Sequence, residues 1–182
     1  MLKFAYYYKE KLQSLFSQRI YDEELKYYYF PNLFYEISLD PTSEKRIQLV
    51  SVDDSNEVLG FFSLRIDWKM HFVEHLMSMN LKGRSSTFSQ DFYQLLYDIF
   101  YKYNFVKLKF SVAVGNPAEK FYDRMMTKYG GRIVGVFKQD LKLIDGTVCD
   151  YKYYEILKSE LEQTLISLNT NPKDFFLRKA NK

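Results

Sequence analysis

The pattern of the chain predicts a single α+β domain with a mixed central sheet, mostly antiparallel, containing one parallel strand pair. Three observations predict it. The apolar period changes from helical to alternating near residue 46. A strongly amphipathic helix then lies between two strands, a crossover that inserts a parallel pair. The last two strands meet at Asp145–Gly146, a strong hairpin-turn signal.

Before residue 46 the chain reads as helices, with room for a short strand ahead of the first. In "YKEKLQSLFSQRI", Leu12, Leu15, Phe16 and Ile20 share one helical stripe. "YDEELKYYYF" follows as a second helix, capped by Asp22 and ended by Pro31. "RIQLVSV" alternates, "DDSN" at 53–56 turns, and "EVLGFFSLRIDW" returns as the second arm of a hairpin. "HFVEHLMSMNL" fits two periods. Val73, His75, Met77, Met79 and Leu81 make a strand face, while Phe72, Leu76 and Met79 fit a helical stripe. "TFSQDFYQLLYDIFYKYN" is an amphipathic helix with Phe88, Phe92, Leu95, Leu96 and Ile99 inward. "VKLKFSVAV" is a strand with Val106, Leu108, Phe110 and Val112 on one face. "NPAEKFYDRMMTKY" opens as a helix at Asn116–Pro117 and stops at Gly130–Gly131. "SELEQTLISL" adds a terminal helix before a polar, frayed tail. Residues 1–160 are therefore read as the domain and 161–182 as a C-terminal helix and tail.

With 182 residues and 47% hydrophobic content, the chain can bury one sizeable core. No apolar run reaches the length of a membrane span, and "MLKFAYYYKEKL" meets charge too early for a signal peptide. The one cysteine, Cys149, excludes an internal disulfide and points to a reducing, cytoplasmic setting. It follows the Asp-Gly turn and reads as a small strand residue. A net charge of +3, scattered along the chain, gives no footprint for nucleic acid. The acidic clusters Asp22–Glu23–Glu24 and Asp53–Asp54 read as caps and turns, with attraction of a cationic acceptor as the sharper alternative.

The two histidines fall in "HFVEH" (71–75), which matches the inverted zinc-hydrolase pattern H-x-x-E-H. A zinc ion would need His71 and His75 on adjacent turns of one helix. On a strand their backbones lie about 13 Å apart, and Glu74 points the other way. The pattern is read as strand, and no metal site is expected.

Chemistry concentrates between Val73 and Tyr129. Where the strand feeds the helix, Arg84-Ser85-Ser86-Thr87-Phe88-Ser89 offers free backbone N–H groups, hydroxyls and, with Lys82, positive charge. Such a helix start holds phosphate, and it is also an ordinary Ser/Thr cap. The arrangement resembles the GNAT acetyltransferase superfamily, whose acyl-CoA signature R/Q-x-x-G-x-G/A opens a helix after the fourth strand. Arg84, Thr87 and Ser89 stand on the signature positions, with both glycines replaced. Asn116, Ala118 and Tyr122 follow in the manner of the family's N-x-x-A-x-x-x-Y motif, with Asn116 one residue closer, and "YGGRIVG" resembles the turn into the sixth strand. The resemblance spans roughly residues 1–157.

It implies a parallel pair splayed at the cofactor site and an N-acetyltransferase that uses acetyl-CoA as acyl donor. Met77, Met79 and Asn80 would line the pantetheine arm, Arg84–Ser89 the diphosphate, and Asn116 the next helix start. Tyr122 would be the acid. Glu74 is the first candidate for the base, with His71 and His75 as alternatives. The implied partner is a small-molecule or protein amine acceptor, with neither nucleic acid nor membrane expected; the oligomeric state is open, a homodimer being one option because the final strand and terminal helix could face a second chain. The other reading is a non-catalytic acyl-CoA-fold interaction protein.

Overall fold

The computed structural model describes residues 1–28, 37–42 and 44–177; the expected helix end at Pro31 lies outside them. The elements are β1 (Leu2–Phe4), a 3-10 turn (Ala5–Tyr8), α1 (Lys9–Arg19), a second 3-10 helix (Glu23–Tyr28), β2 (Arg46–Val52), β3 (Val58–Asp67) and β4 (Phe72–Asn80). Then come α2 (Ser86–Tyr97), continued by a π-helical turn to Lys102, β5 (Lys107–Ala113), α3 (Glu119–Tyr129), β6 (Arg132–Lys142), β7 (Val148–Leu157), α4 (Lys158–Ser167) and α5 (Pro172–Leu177). One sheet runs β1-β2-β3-β4-β5-β7-β6, with β4 and β5 parallel and the other pairs antiparallel. This is the α+β architecture expected.

Period-two alternation sends successive side chains to two cores. On β2 and β3, Ile47, Phe62 and Leu64 enter a core with Phe88, Phe92, Leu95, Leu96 and Ile99 of the α2 segment. Val50, Val52 and Phe61 enter a second core under Leu12 and Phe16 of α1. Leu15 and Ile20, the rest of the α1 stripe, pack at its margin. The β2–β3 turn closes on Asp53, whose carboxylate accepts the N–H groups of Ser55 and Glu57. The β6–β7 turn closes through Gly146 at φ 85°. β6 is the sheet edge and exposes Ile133, Val134 and Phe137.

Four details depart from the sequence pattern. "YDEELKYY" forms a 3-10 helix rather than an α-helix over its described part. Val106 precedes β5 and is exposed, whereas Leu108, Phe110 and Val112 are buried as expected. The tail is not all frayed: α5 docks Phe176 against Tyr97, Tyr101 and Tyr129, and Leu161 and Leu165 of α4 join the same core. The fourth departure is a bulge in β4. Opposite Ser63–Arg65, β4 spends one residue more, passing from Met77 to Glu74 with His75 at φ 55°. The alternation resets there. Val73 and Leu76 share the α2-side core, while Met77 and Met79 face the other, so Val73, Met77 and Met79 do not form one face.

α2 is fixed to the sheet by one close approach. A Cβ added to Gly60 would collide with both the Phe88 ring and the Met79 carbonyl oxygen. Phe88 in turn stacks on Phe62 at 4.7 Å. Gly60→Ala should therefore destabilise the fold by about 2–3 kcal/mol in urea melts, because backbone as well as a packed ring must give way.

Candidate active site

The parallel pairing of β4 and β5 is confined to Val73–Leu108 and Glu74–Lys109. Past Glu74 the strands part, and among the described residues β4 keeps only β3 as a strand neighbour. Between them opens a cleft of about 280 Å³. On the α3 side its walls include Val112, Asn116, Ala118 and Tyr122. From β4 come His75, Leu76, Met77 and Ser78. Across from them stand Tyr28, Arg46, Gln48, Ser63 and Arg65. Of the expected site residues, Met77, Asn116 and Tyr122 thus meet in one cleft, joined by His75.

Tyr122 is buried, in edge contact with Phe110 at 4.9 Å. Burial first, then the neighbouring Tyr28, raises its pKa well above that of a free tyrosine, opposed by a hydrogen bond to Ser78. Its proton stays on oxygen at neutral pH. Tyr28, with its own pKa pushed up to about 12 by burial, donates to the Ser78 carbonyl at 2.8 Å. That bond ties the 3-10 helix to the β4 edge that β5 has left.

Glu74 is buried behind His75 and committed to cations. Its Oε1 accepts from Arg65 Nε at 2.5 Å and from Nη2, and its Oε2 meets Lys109 Nζ at 2.6 Å. His75 is largely exposed, with Nε2 3.8 Å from Glu74 Oε1. Desolvation, then Arg65, Lys109 and Arg46, lower its pKa. A neutral imidazole therefore stands beside the cleft at pH 7. His71 does not join it. It occupies the β3–β4 turn at φ 55°, its ring 5.1 Å from Phe105. No three His, Cys, Asp or Glu side chains form a metal-binding group among the described residues. Burial, then Asp150 and Asp145, raise the pKa of Cys149, so its thiol is a poor nucleophile.

At the far end of β4, Asn80 accepts the Lys82 N–H and donates to the Gly83 carbonyl, shaping the turn into α2. Gly83 has φ 78° with open space beside it. Ser85 is the N-cap, its Oγ accepting the Phe88 N–H at 3.2 Å. Ser89 Oγ donates to the Ser85 carbonyl. Helix geometry leaves the Ser86 and Thr87 N–H groups without intrahelical acceptors. Arg84 and Ser86 are exposed at this mouth, and Thr87 is half-buried. Met79 and Phe88 point into the two cores. At α3, Asn116 Oδ1 accepts the Ala118 N–H at 2.8 Å and opens the helix.

Tyr28, Ser78, Arg46 and Arg65 carry no signal in the sequence that singles them out. Arg46 and Arg65 sit at strand starts and middles with no motif around them. Only the β2–β3 register, legible from the "DDSN" turn, sets them opposite each other.

No family profile and no curated protein matches the chain. Solved structures do. Spermidine N-acetyltransferase from Vibrio cholerae, in complex with CoA and spermine, superposes with TM-score 0.69 at 19% identity, over 89% of this chain and 97% of that one. A chimera of the Vibrio cholerae enzyme with hSSAT gives 0.55 at 20% identity, over 82% and 77%. A provisional acetyltransferase from T. thermophilus gives 0.52 at 22% identity, over 71% and 66%. With its splayed parallel pair and α2 opening after β4, the chain has the GNAT acetyltransferase fold.

Proposed function

We propose that the chain is an acetyl-CoA-dependent N-acetyltransferase in which an amine attacks the thioester directly within a ternary complex. The observation that carries this is the cleft between β4 and β5. It is lined by both a buried, protonated tyrosine and a neutral histidine, and α2 opens just after the end of β4. The site fits an acyl-CoA. The Ser86 and Thr87 N–H groups, with Lys82 and Arg84 nearby, suit a diphosphate. The open flank of Gly83 admits a close approach, and the edge of β4 from Met77 to Asn80, which β5 does not pair, suits the amide-bearing arm.

In the reaction a C–N bond forms, the C–S bond breaks and one proton moves from amine to sulfur. Acetyl-CoA supplies an activated acyl carbon, and the chain's residues position the partners and handle protons. Glu74 is the first candidate for the base by sequence, but both its oxygens are held by Arg65 and Lys109. The proton-accepting role passes to His75, whose lone pair stays available to a lower pH than usual, and Glu74 becomes the anchor of the cations around it. Tyr122, protonated at neutral pH, gives its proton to the departing sulfur and is reprotonated from solvent, which takes up the proton that His75 then releases. The cleft is of a size to take a small amine or the end of one amine-bearing side chain.

Two experiments test this. In the first, acetyl-CoA at a hundredfold excess over its Kd should add about 2.7 kcal/mol of stability, raising Tm by about 5–10 °C at this chain length. Free thiol should then appear when amines are added. Silence in both readouts would leave a non-catalytic acyl-CoA-fold protein, the reading that the replaced signature glycines favour. In the second, kcat is followed against pH. A base with a lowered pKa loses activity only as pH falls through that pKa, so the acidic limb should lie below about 6.5. His75→Gln should lower kcat by about 10²–10⁴ and abolish the limb. A limb unchanged in His75→Gln assigns the base elsewhere.

A further inference from the structure

We propose that the acceptor amine carries an anionic group, a carboxylate or a phosphate ester, held by Arg46 and Arg65 on the β2–β3 side of the cleft. This deepens the acetyltransferase reading and rests on it.

Arg46 and Arg65 are register partners, directly opposite on β2 and β3, and both line the cleft. Like charges at opposed positions destabilise a strand pair, so the sheet retains an unfavourable arrangement there. Arg65 is partly compensated by Glu74. Arg46, half-buried, makes no ion pair among the described residues. The remaining titratable groups on the cleft walls are His75, Tyr27, Tyr28, Tyr122 and Tyr151, so no described carboxylate faces the cleft. Behind it, Glu74 is the adjacent acid, with Oε1 on Arg65 and Oε2 on Lys109. With His75 neutral, this corner holds three cations against a single anion.

Most of the acidic residues that the sequence offers for a cationic amine are engaged elsewhere, and neither acidic cluster lines the cleft. Asp22 and Glu24 pair with Arg19, Glu23 pairs with Lys26, and Asp53 caps its own turn. An amine with a second positive charge would meet repulsion from Arg46 and Arg65 and find no carboxylate among the described residues of the cleft wall. A guanidinium fork matches a carboxylate or phosphate through paired N–H donors; Arg46 offers such a fork, and Arg65, whose Nε and Nη2 already donate to Glu74, adds its charge and remaining N–H donors beside it. A small amine bearing one anionic group is of a size with this cleft of about 280 Å³.

The test uses the full chain, acetyl-CoA and four primary amines of similar reach: 4-aminobutyrate, O-phosphoethanolamine, butylamine and putrescine. Thiol release should give a higher kcat/KM for an anionic amine than for butylamine, with putrescine last. Whichever anionic amine leads identifies the group. Arg46→Ala should raise KM for the anionic amines about 10- to 100-fold, as loss of a charged hydrogen bond implies, and narrow their advantage over butylamine. Arg46→Lys should recover part of it. The Tm of Arg46→Ala should be equal to or above the parent's, because a like-charge pair is relieved, which separates lost recognition from lost folding. A preference for putrescine, or an equal loss for butylamine and 4-aminobutyrate in Arg46→Ala, overturns the acceptor assignment and leaves acetyl transfer standing. Absence of acetyl-CoA stabilisation, with no thiol release from any amine, overturns both.

Discussion

The site depends on where β4 and β5 stop pairing. They are joined through Val73–Leu108 and Glu74–Lys109, and the second of these pairs is also an ion pair between side chains. Immediately beyond, His75 takes a positive φ and one extra residue enters β4 relative to β3. A bulge bends and twists its strand, so β4 leaves β5 at the residue after the salt bridge. The cleft is the space that this divergence opens. The reset of alternation at the bulge also lets Leu76 fill the α2-side core while Met77 reaches the cleft wall and Met79 the opposite core. Without it, His75 would face a core and Leu76 would face away from one.

Glu74 holds the vertex of this divergence. A buried carboxylate is tolerated because Arg65 and Lys109 satisfy both oxygens. The triad links β3, β4 and β5 side by side, and it places positive charge around the next residue. That charge, added to burial, depresses His75, while burial without a cation raises Tyr122. Two titratable groups that line one cleft are thereby shifted in opposite directions, His75 down and Tyr122 up. Such a divergence is the environment that divides acid and base roles in a shared site.

The regular parts of this architecture are legible in the sequence because each rests on local periodicity or local turn chemistry. The α2 face from Phe88 to Ile99, the Asp53 and Gly146 turns and the Asn116 helix start need no knowledge of distant residues. The bulge at His75 is not legible, since "HFVEHLMSMN" carries no glycine or proline to mark it. A histidine with positive φ is held there by the sheet on one side and the ion triad on the other, both non-local. For the same reason Glu74 reads in sequence as an available base: its two cationic partners lie on β3 and β5, on other strands of the sheet. The docking of α5 is hidden because "PKDFF" is short and polar around its two aromatic residues. Its position comes from Tyr97, Tyr101 and Tyr129, rings already aligned by other elements.

The fold itself is silent on the acceptor. A neighbour of the same architecture binds spermine, yet here the cleft wall opposite β4 presents two arginines in direct register. Backbone placement is set by the sheet; the charge at Arg46 and Arg65 is set by side chains that the sheet does not require. β2 and β3 would pair at least as well with a neutral residue at either position. Arg65 has a structural reason to persist, because it neutralises Glu74. Arg46 has none among the described contacts, since it neither caps, packs into a core nor closes an ion pair. A cation kept at a cost to its own strand pair, facing a cleft with no carboxylate among its described lining residues, is therefore best accounted for by what enters that cleft.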